Sequence, residues 1–184
     1  SQLGLGIYKV NQDKGTRVNS YKAFIAPISS RANLTIMINS RVQSIEIEGD
    51  SAQSIKLQVN GIDKQLLCNK EVILCAGAIE SPRILLSSGV GDREELKKIG
   101  VTCQHNVQGV GENLQDHLDT MVTVRSNKSE SIGVSWWSLL PQVFTSPFNY
   151  LFRRMGWWTS NFVEAGCFAD TKLGSSDYPD VQFH

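Results

Sequence analysis

Between Glu71 and Gly91 the chain passes from an apolar run, Glu71-Val-Ile-Leu-Cys75, through three small residues, Ala76-Gly77-Ala78, into a segment with strong helix signals. The run has the length and composition of a buried strand. Ser81 is a good N-cap, and Pro82 suits the first helical position, where its missing N–H costs nothing. Gly89 is placed to end the helix, because glycine adopts positive φ freely. A buried strand, a small-residue turn and a helix start together let main chain approach a ligand closely, which a β-branched side chain at the turn would prevent. The plainer alternative is that the small residues only let strand and helix pack tightly.

The segments around this core alternate in type. Leu5 to Val10 reads as a strand that ends in the turn-like Asn11–Gly15, and Ser20 to Ile28 as a short helix closed by Pro27. Leu34 to Ile38 is a β-branched run fit for a buried parallel strand. Three alternating runs follow, Val42–Glu48, Ser54–Val59 and Lys64–Cys68, broken at Gly49-Asp50 and Asn60-Gly61. Those dipeptides are hairpin signals, so the runs form a three-stranded antiparallel meander. Val72–Cys75 then brings the chain back as another buried strand. Arg93 to Ile99 is a short amphipathic helix stopped by Gly100, and Val101–Val107 is extended. Beyond His117, Leu118–Arg125 alternates as a strand. The stretch from Trp136 to Trp158 holds two Trp-Trp pairs, with Pro141 and Pro147 as interruptions; Phe162–Ala169 and Val181–Phe183 read as strands.

Charge and cysteine spacing exclude several classes. With 18 basic and 18 acidic residues and no basic stripe, the chain is not a nucleic-acid binder. No apolar run approaches the roughly 20 residues that a membrane-spanning helix needs. The four cysteines, Cys68, Cys75, Cys103 and Cys167, have no CxxC spacing and no histidines at ligand intervals, so no metal site is expected. They read as reduced thiols of a cytoplasmic protein, with Cys68 and Cys75 as small buried hydrophobes. The paired tryptophans with Arg153-Arg154 suit a cap over a cavity, or else peripheral contact with a membrane surface. Both ends look cut, as in an internal fragment of a longer chain.

Two local patterns resemble one family, the glucose–methanol–choline (GMC) flavoprotein oxidoreductases. From Gly77 to Gly91 the order is glycine, small residue, Ser81-Pro82, aliphatics, then Ser88-Gly89-aliphatic-Gly91, which matches the family's second signature position by position. Gly109-x-Gly111-x-Asn113-Leu114-x-Asp116-His117 resembles its Gly-x-Asn-Leu-x-Asp-His run. It is not a Rossmann glycine loop, since the strand-to-helix context is missing. Within the family the chain looks most like choline dehydrogenases and acceptor-linked alcohol dehydrogenases.

The resemblance implies an α/β fold (α+β overall): part of an FAD-binding βαβ domain, with the antiparallel meander in place of a crossover helix, and part of an antiparallel-sheet substrate domain. It implies boundaries of 1–16 for the end of a substrate-domain strand, 17–117 for the FAD-binding part and 118–184 for the substrate-binding part. FAD is the implied cofactor, with Ala76, Gly77 and Ala78 beside the flavin. Val42, in the family-like setting Arg31-x-Asn33-Leu34…Arg41-Val42-x-x-Ile45, is implied beside the adenine; the alternative is an ordinary core valine. Glu164, in Asn161-Phe-Val-Glu-Ala-Gly-Cys-Phe168, is a candidate for the substrate cavity, where a carboxylate among aromatics suits a quaternary ammonium. Its alternative is a solvent-facing strand residue.

The implied activity is oxidation of a primary alcohol, choline-like or aliphatic, by hydride transfer to flavin, with quinone or oxygen as electron acceptor. No catalytic residue is assigned within the chain. His117 is read as structural, because the family's catalytic histidine lies downstream of the matched motifs. The fragment alone is expected neither to hold FAD tightly nor to turn over. Two other readings stay open: a GMC-fold lyase that keeps FAD without redox turnover, and a non-catalytic α/β module sharing the pattern for packing reasons. The oligomeric state is not legible in the sequence.

Overall fold

The computed structural model describes residues 3–122, 136–161, 163, 165–173 and 178–184, with side chains placed at all of these except 136–139, 142 and 157. In chain order the strands are β1 (Gly4–Ile7), β2 (Gln12–Asp13), β3 (Thr16–Arg17), β4 (Ser40–Glu48), β5 (Ser51–Val59), β6 (Ile62–Leu67), β7 (Val90–Gly91), β8 (His105–Asn106), β9 (Ala165–Ala169) and β10 (Val181–Phe183). The α-helices are α1 (Gly77–Ser87), α2 (Arg93–Lys98) and α3 (Trp136–Arg153). The chain divides into two compact units, one of Ser1–Leu34 with Val122–His184 and one of Thr35–Met121.

The unit of residues 35–121 is built on the meander β4-β5-β6, antiparallel throughout. Its second turn has both central residues at positive φ, Asn60 at 50° and Gly61 at 83°, the geometry whose twist matches that of the flanking strands. In β4 the register slips twice against β5, between Val42 and Ser44 and between Glu46 and Ile47. The first slip leaves Gln43 as an extra residue on β4 and the second leaves Gln53 as one on β5, and α1 packs on β4. Ile45, Leu57, Ile84 and Leu96 are the buried apolar side chains among the described residues.

Gly89 ends α1 as expected, at φ 82°. It serves a second purpose, since its carbonyl accepts the amides of Gln104 (2.8 Å) and His105 (3.1 Å) and a Cβ there would lie 2.5 Å from the Thr102 carbonyl oxygen. This close approach lets β7 pair in parallel with β8, Val90 opposite His105 and Gly91 opposite Asn106. Between them α2 starts on an Asp92 cap that accepts the amides of Glu94 and Glu95.

In the other unit β9 is the middle strand of an antiparallel sheet ordered β1-β9-β10. Tyr8 lies across this sheet. A Cβ on Gly166 would meet the Tyr8 hydroxyl oxygen at 1.9 Å, and that hydroxyl accepts a bond from Gln182 Nε2 at 3.2 Å. The segment Asn11–Gly15 is more than a loop. It is the first half of the β2-β3 hairpin, turned by Lys14 and Gly15 at positive φ.

Several expectations are corrected. The run 34–38 forms no strand, and Ile36, Met37 and Ile38 are exposed. Val72–Cys75 forms no strand either; Ile73 and Cys75 are exposed, while Val72 and Leu74 are half-buried. A strand exists only where a neighbouring strand supplies ladder hydrogen bonds, and no described strand pairs with either run. Cys68 is likewise half-buried rather than buried. Helix α1 begins four residues before Ser81, because Gly77 at φ 87° turns the chain into it early. Ser81 and Pro82 therefore lie inside the helix.

Pro27 sits within a 3-10 turn, Ala26–Ile28, that continues a π-helical turn over Tyr21–Ile25. Pro141 and Pro147 lie inside α3 without interrupting it. Each proline removes one hydrogen bond and crowds the carbonyl four residues back, which bends a helix without ending it. The last turns are also tied by Phe148 stacked on Phe152 and by Arg154 over the Tyr150 ring. Residues 118–122 form no strand.

Candidate functional site

Val42 and Ala76-Gly77-Ala78 all belong to the unit of residues 35–121. The turn 76–78 is exposed, and nothing lies within 4 Å of where a Gly77 Cβ would be. No side chain caps the start of α1 through the Ala76 position. Instead Ser81 reaches back from inside the helix, its Oγ accepting the Ala76 amide at 3.0 Å. That occupies one amide donor and leaves those of Gly77, Ala78 and Ile79 without an intrahelical acceptor. Bare main chain with unsatisfied donors and no side chain in the way fits a polar, planar or phosphorylated group at close range.

Val42 lies at the bulge of β4 and is half-buried. Its carbonyl accepts Arg83 Nη2 at 2.8 Å, and Nη1 of the same guanidinium lies 3.5 Å from the Gln43 carbonyl. Arg83 Nε in turn donates to Glu80 Oε2 at 2.6 Å, one helical turn back. Further along the same edge, buried Ser88 accepts the Ile45 amide at 2.7 Å and donates to the Ile84 carbonyl at 2.6 Å. The helix that starts at the Ala76–Ala78 turn is thus bonded twice to the outer edge of β4, once at Val42 and once at Ile45.

Arg83 carries no assignment in the sequence reading, although it lies inside the signature. Its signal was available: a Glu–Arg pair three residues apart on a helix.

Ala78, Pro82, Arg83 and Leu86 form one wall of a 710 Å³ cleft in this unit, with Gly111 to Gln115 opposite. Asn113 takes φ 56° there and Gly111 φ 83°, so the run Gly109–His117 is a turn rather than a helix start. His117 is exposed, and its main-chain N–H donates to Asp116 Oδ1 at 2.9 Å. His105 has a structural tie. Its Nε2 lies 2.9 Å from the Gly49 carbonyl and its Nδ1 4.0 Å from the Asp50 carboxylate, which joins β8 to the β4–β5 turn.

Glu46, Lys56, Ser54 and Gln65 form a polar cluster across the meander. The Lys56 ammonium and the buried Ser54 hydroxyl hold the Glu46 carboxyl below its ordinary range. Among the described residues no group of histidine, cysteine and acidic side chains is arranged to hold a metal ion.

In the other unit a 640 Å³ cleft is lined by the β2-β3 hairpin region and by Trp158 to Asn161. The hairpin sits tightly there, for a Cβ on Gly15 would come within 2.7 Å of Thr159 Cγ2. Glu164, the candidate for the substrate cavity, lies outside the described residues. Among the described residues no helix is long and apolar enough to cross a membrane.

Comparison with known proteins agrees with the motifs. The family model for the GMC oxidoreductases matches residues 1–119. The alcohol dehydrogenase [acceptor] of Pseudomonas putida is 36% identical over 185 residues, all of this chain and 33% of that protein. An oxygen-dependent choline dehydrogenase of Chromohalobacter salexigens is 34% identical, over 93% of this chain and 30% of its own length. The chain therefore spans about a third of the curated relatives it matches.

Among solved structures, an FAD-dependent oxidoreductase from Chaetomium thermophilum superposes with a TM-score of 0.74 at 22% identity, over 91% of this chain and 30% of that one. At that identity the fold is what is shared. The pyridoxine 4-oxidase of "Mesorbium loti" is 31% identical with a TM-score of 0.54, over 56% of this chain and 20% of its own. With two signature runs in place and a family model matching well over half its residues, the chain belongs to the GMC oxidoreductase family.

Proposed function

We propose that this chain forms part of an FAD-dependent enzyme that oxidises a primary alcohol, choline-like or aliphatic, and passes the electrons to quinone or oxygen. The observation that carries the reading is the 36% identity, over the whole chain, to an acceptor-linked alcohol dehydrogenase. The local geometry is compatible with it. Ala76, Gly77 and Ala78 offer exposed main chain, and Val42 is held on the helix that begins there. These four residues are the ones we assign to holding the cofactor. When bound, FAD supplies the hydride acceptor for the carbinol carbon, while the protein supplies position and electrostatics. The turn's role is to approach the cofactor closely, and the β4 edge fixes its adenine half. Glu164 remains our candidate for a cationic substrate headgroup. The four free thiols fit a cytoplasmic setting. Peripheral contact with anionic lipid through α3 stays part of the proposal, supported by its exposed Phe144, Phe148 and Phe152 beside Arg153.

The test uses the full-length protein, purified without oxygen, with its visible flavin absorbance followed as choline and then simple alcohols are added. Bleaching by choline supports a cationic substrate, and bleaching only by other alcohols supports an aliphatic one. A yellow protein that no alcohol bleaches favours the lyase reading. A protein that stays colourless after FAD is added refutes the proposal.

A further inference from the structure

Three hydrogen bonds to β4 have no counterpart in the pairing of the meander. Arg83 spans from α1 to two successive carbonyls, Val42 at 2.8 Å and Gln43 at 3.5 Å, at the point where β4 slips register against β5. Ser88 takes the Ile45 amide and returns its own proton to the Ile84 carbonyl. A bulge on the outer strand of this meander is the least constrained part of the sheet, because no neighbouring strand among the described residues pairs with its outer edge. Here the guanidinium fork replaces that strand. Its orientation is set by Glu80, which accepts Nε at 2.6 Å and leaves the two terminal nitrogens for the main chain. The same helix starts at the open turn Ala76–Ala78. Arg83 therefore links, through one rigid helix, two pieces of main chain that are far apart in sequence.

From this geometry we infer that Arg83 is a positioning residue for the adenine half of the dinucleotide. By pinning the Val42-Gln43 bulge to α1, it fixes the distance between the Val42 main chain and the Ala76–Ala78 turn. The inference rests on the assignment of those two segments to FAD. Arg83 is assigned no contact with the cofactor. Its guanidinium is already committed to Glu80 and to two carbonyls, so it acts through the strand. A lysine places one point charge where the fork places two directed donors, and it cannot hold both carbonyls at once.

The experiment compares two flavins on the apo form of the full-length protein. FAD carries the adenine half and FMN lacks it. Affinity for each is read from quenching of flavin fluorescence, for the unaltered protein and for Arg83→Met, Arg83→Lys and Glu80→Gln. Arg83→Met keeps the apolar stem and removes the donors. It is expected to weaken FAD by about tenfold, the effect of one hydrogen bond from a charged group, and FMN by less than about twofold. Arg83→Lys should recover only part of the FAD affinity. Glu80→Gln should show the same preference for FMN with a smaller loss, and it serves if Arg83→Met does not fold.

Equal losses for FAD and FMN would make Arg83 a general structural residue and overturn the inference. Unchanged affinity for both would overturn it too. If the unaltered protein binds no FAD, the functional reading itself has failed, which is a separate result.

Discussion

Replacing Ser88 with alanine is the most direct test of how α1 is fastened to the sheet. The Ser88 hydroxyl is buried. It accepts the Ile45 amide at 2.7 Å and donates to the Ile84 carbonyl at 2.6 Å. The second bond is partly redundant, because the Ile84 carbonyl also accepts the Ser88 amide at 3.0 Å. The first is not. Ile45 is itself buried, and losing the hydroxyl removes the acceptor that its N–H meets at 2.7 Å. A buried amide left unsatisfied costs about 1–3 kcal/mol. Removing the oxygen also leaves a small void, too small for a water with several polar partners.

The expected destabilisation is therefore about 2 kcal/mol, near the middle of that range. Ser87→Ala is the control: it removes a neighbouring hydroxyl with no recorded side-chain bond, and a change within about 0.5 kcal/mol is expected there. The assay is amide hydrogen exchange of the full-length protein. Protection of the Ile45 amide should fall about 30-fold, which is 2 kcal/mol at 1.4 kcal/mol per factor of ten. If that amide keeps its protection, or Ser87→Ala does as much damage as Ser88→Ala, the reasoning about the helix-to-strand bond is wrong.

Other predictions follow from close contacts and from charge. Gly89→Ala puts a methyl group 2.5 Å from a carbonyl oxygen at a residue with φ 82°, so the melting temperature should fall by more than for Ser88→Ala. In the other unit Gly166→Ala drives a Cβ into the Tyr8 ring. The loss of stability should be largely relieved in the double variant with Tyr8→Leu, and additive losses would exclude this contact as the cause. The lowered pKa of Glu46 has a definite sign. Its contribution is complete above the unfolded-state value, about 4.3, and is lost as pH falls through the lower folded-state value. Unfolding midpoints measured down that range should drop less steeply for Glu46→Gln than for the unaltered protein.

Much of the unit of residues 35–121 was legible in the chain itself. The hairpin dipeptides Gly49-Asp50 and Asn60-Gly61 determine where the meander turns, since local backbone preferences suffice to place a two-residue turn. Gly89 and Asp92 mark the end of α1 and the start of α2 for the same local reason. The family was legible too, because a signature records the side chains and glycines that a close-packed turn requires.

The apolar runs at 34–38 and Val72–Cys75 show the limit. Hydrophobicity says that a segment has something to bury, but hydrogen bonds from a neighbouring strand decide whether it becomes a strand. The start of α1 also lay beyond local rules. Ser81 reads as a cap by residue type, yet its hydroxyl works from inside the helix, because the positive φ of Gly77 had already started the turn.

Only the tertiary structure reveals that Arg83 and Ser88 bond to the edge of β4. Those partners lie 41 and 43 residues away in sequence. No local preference encodes a hydrogen bond across that distance. It exists because the bulge in β4 and the packing of α1 bring a strand edge that no described strand pairs with within reach of Arg83 in the helix and Ser88 at its end.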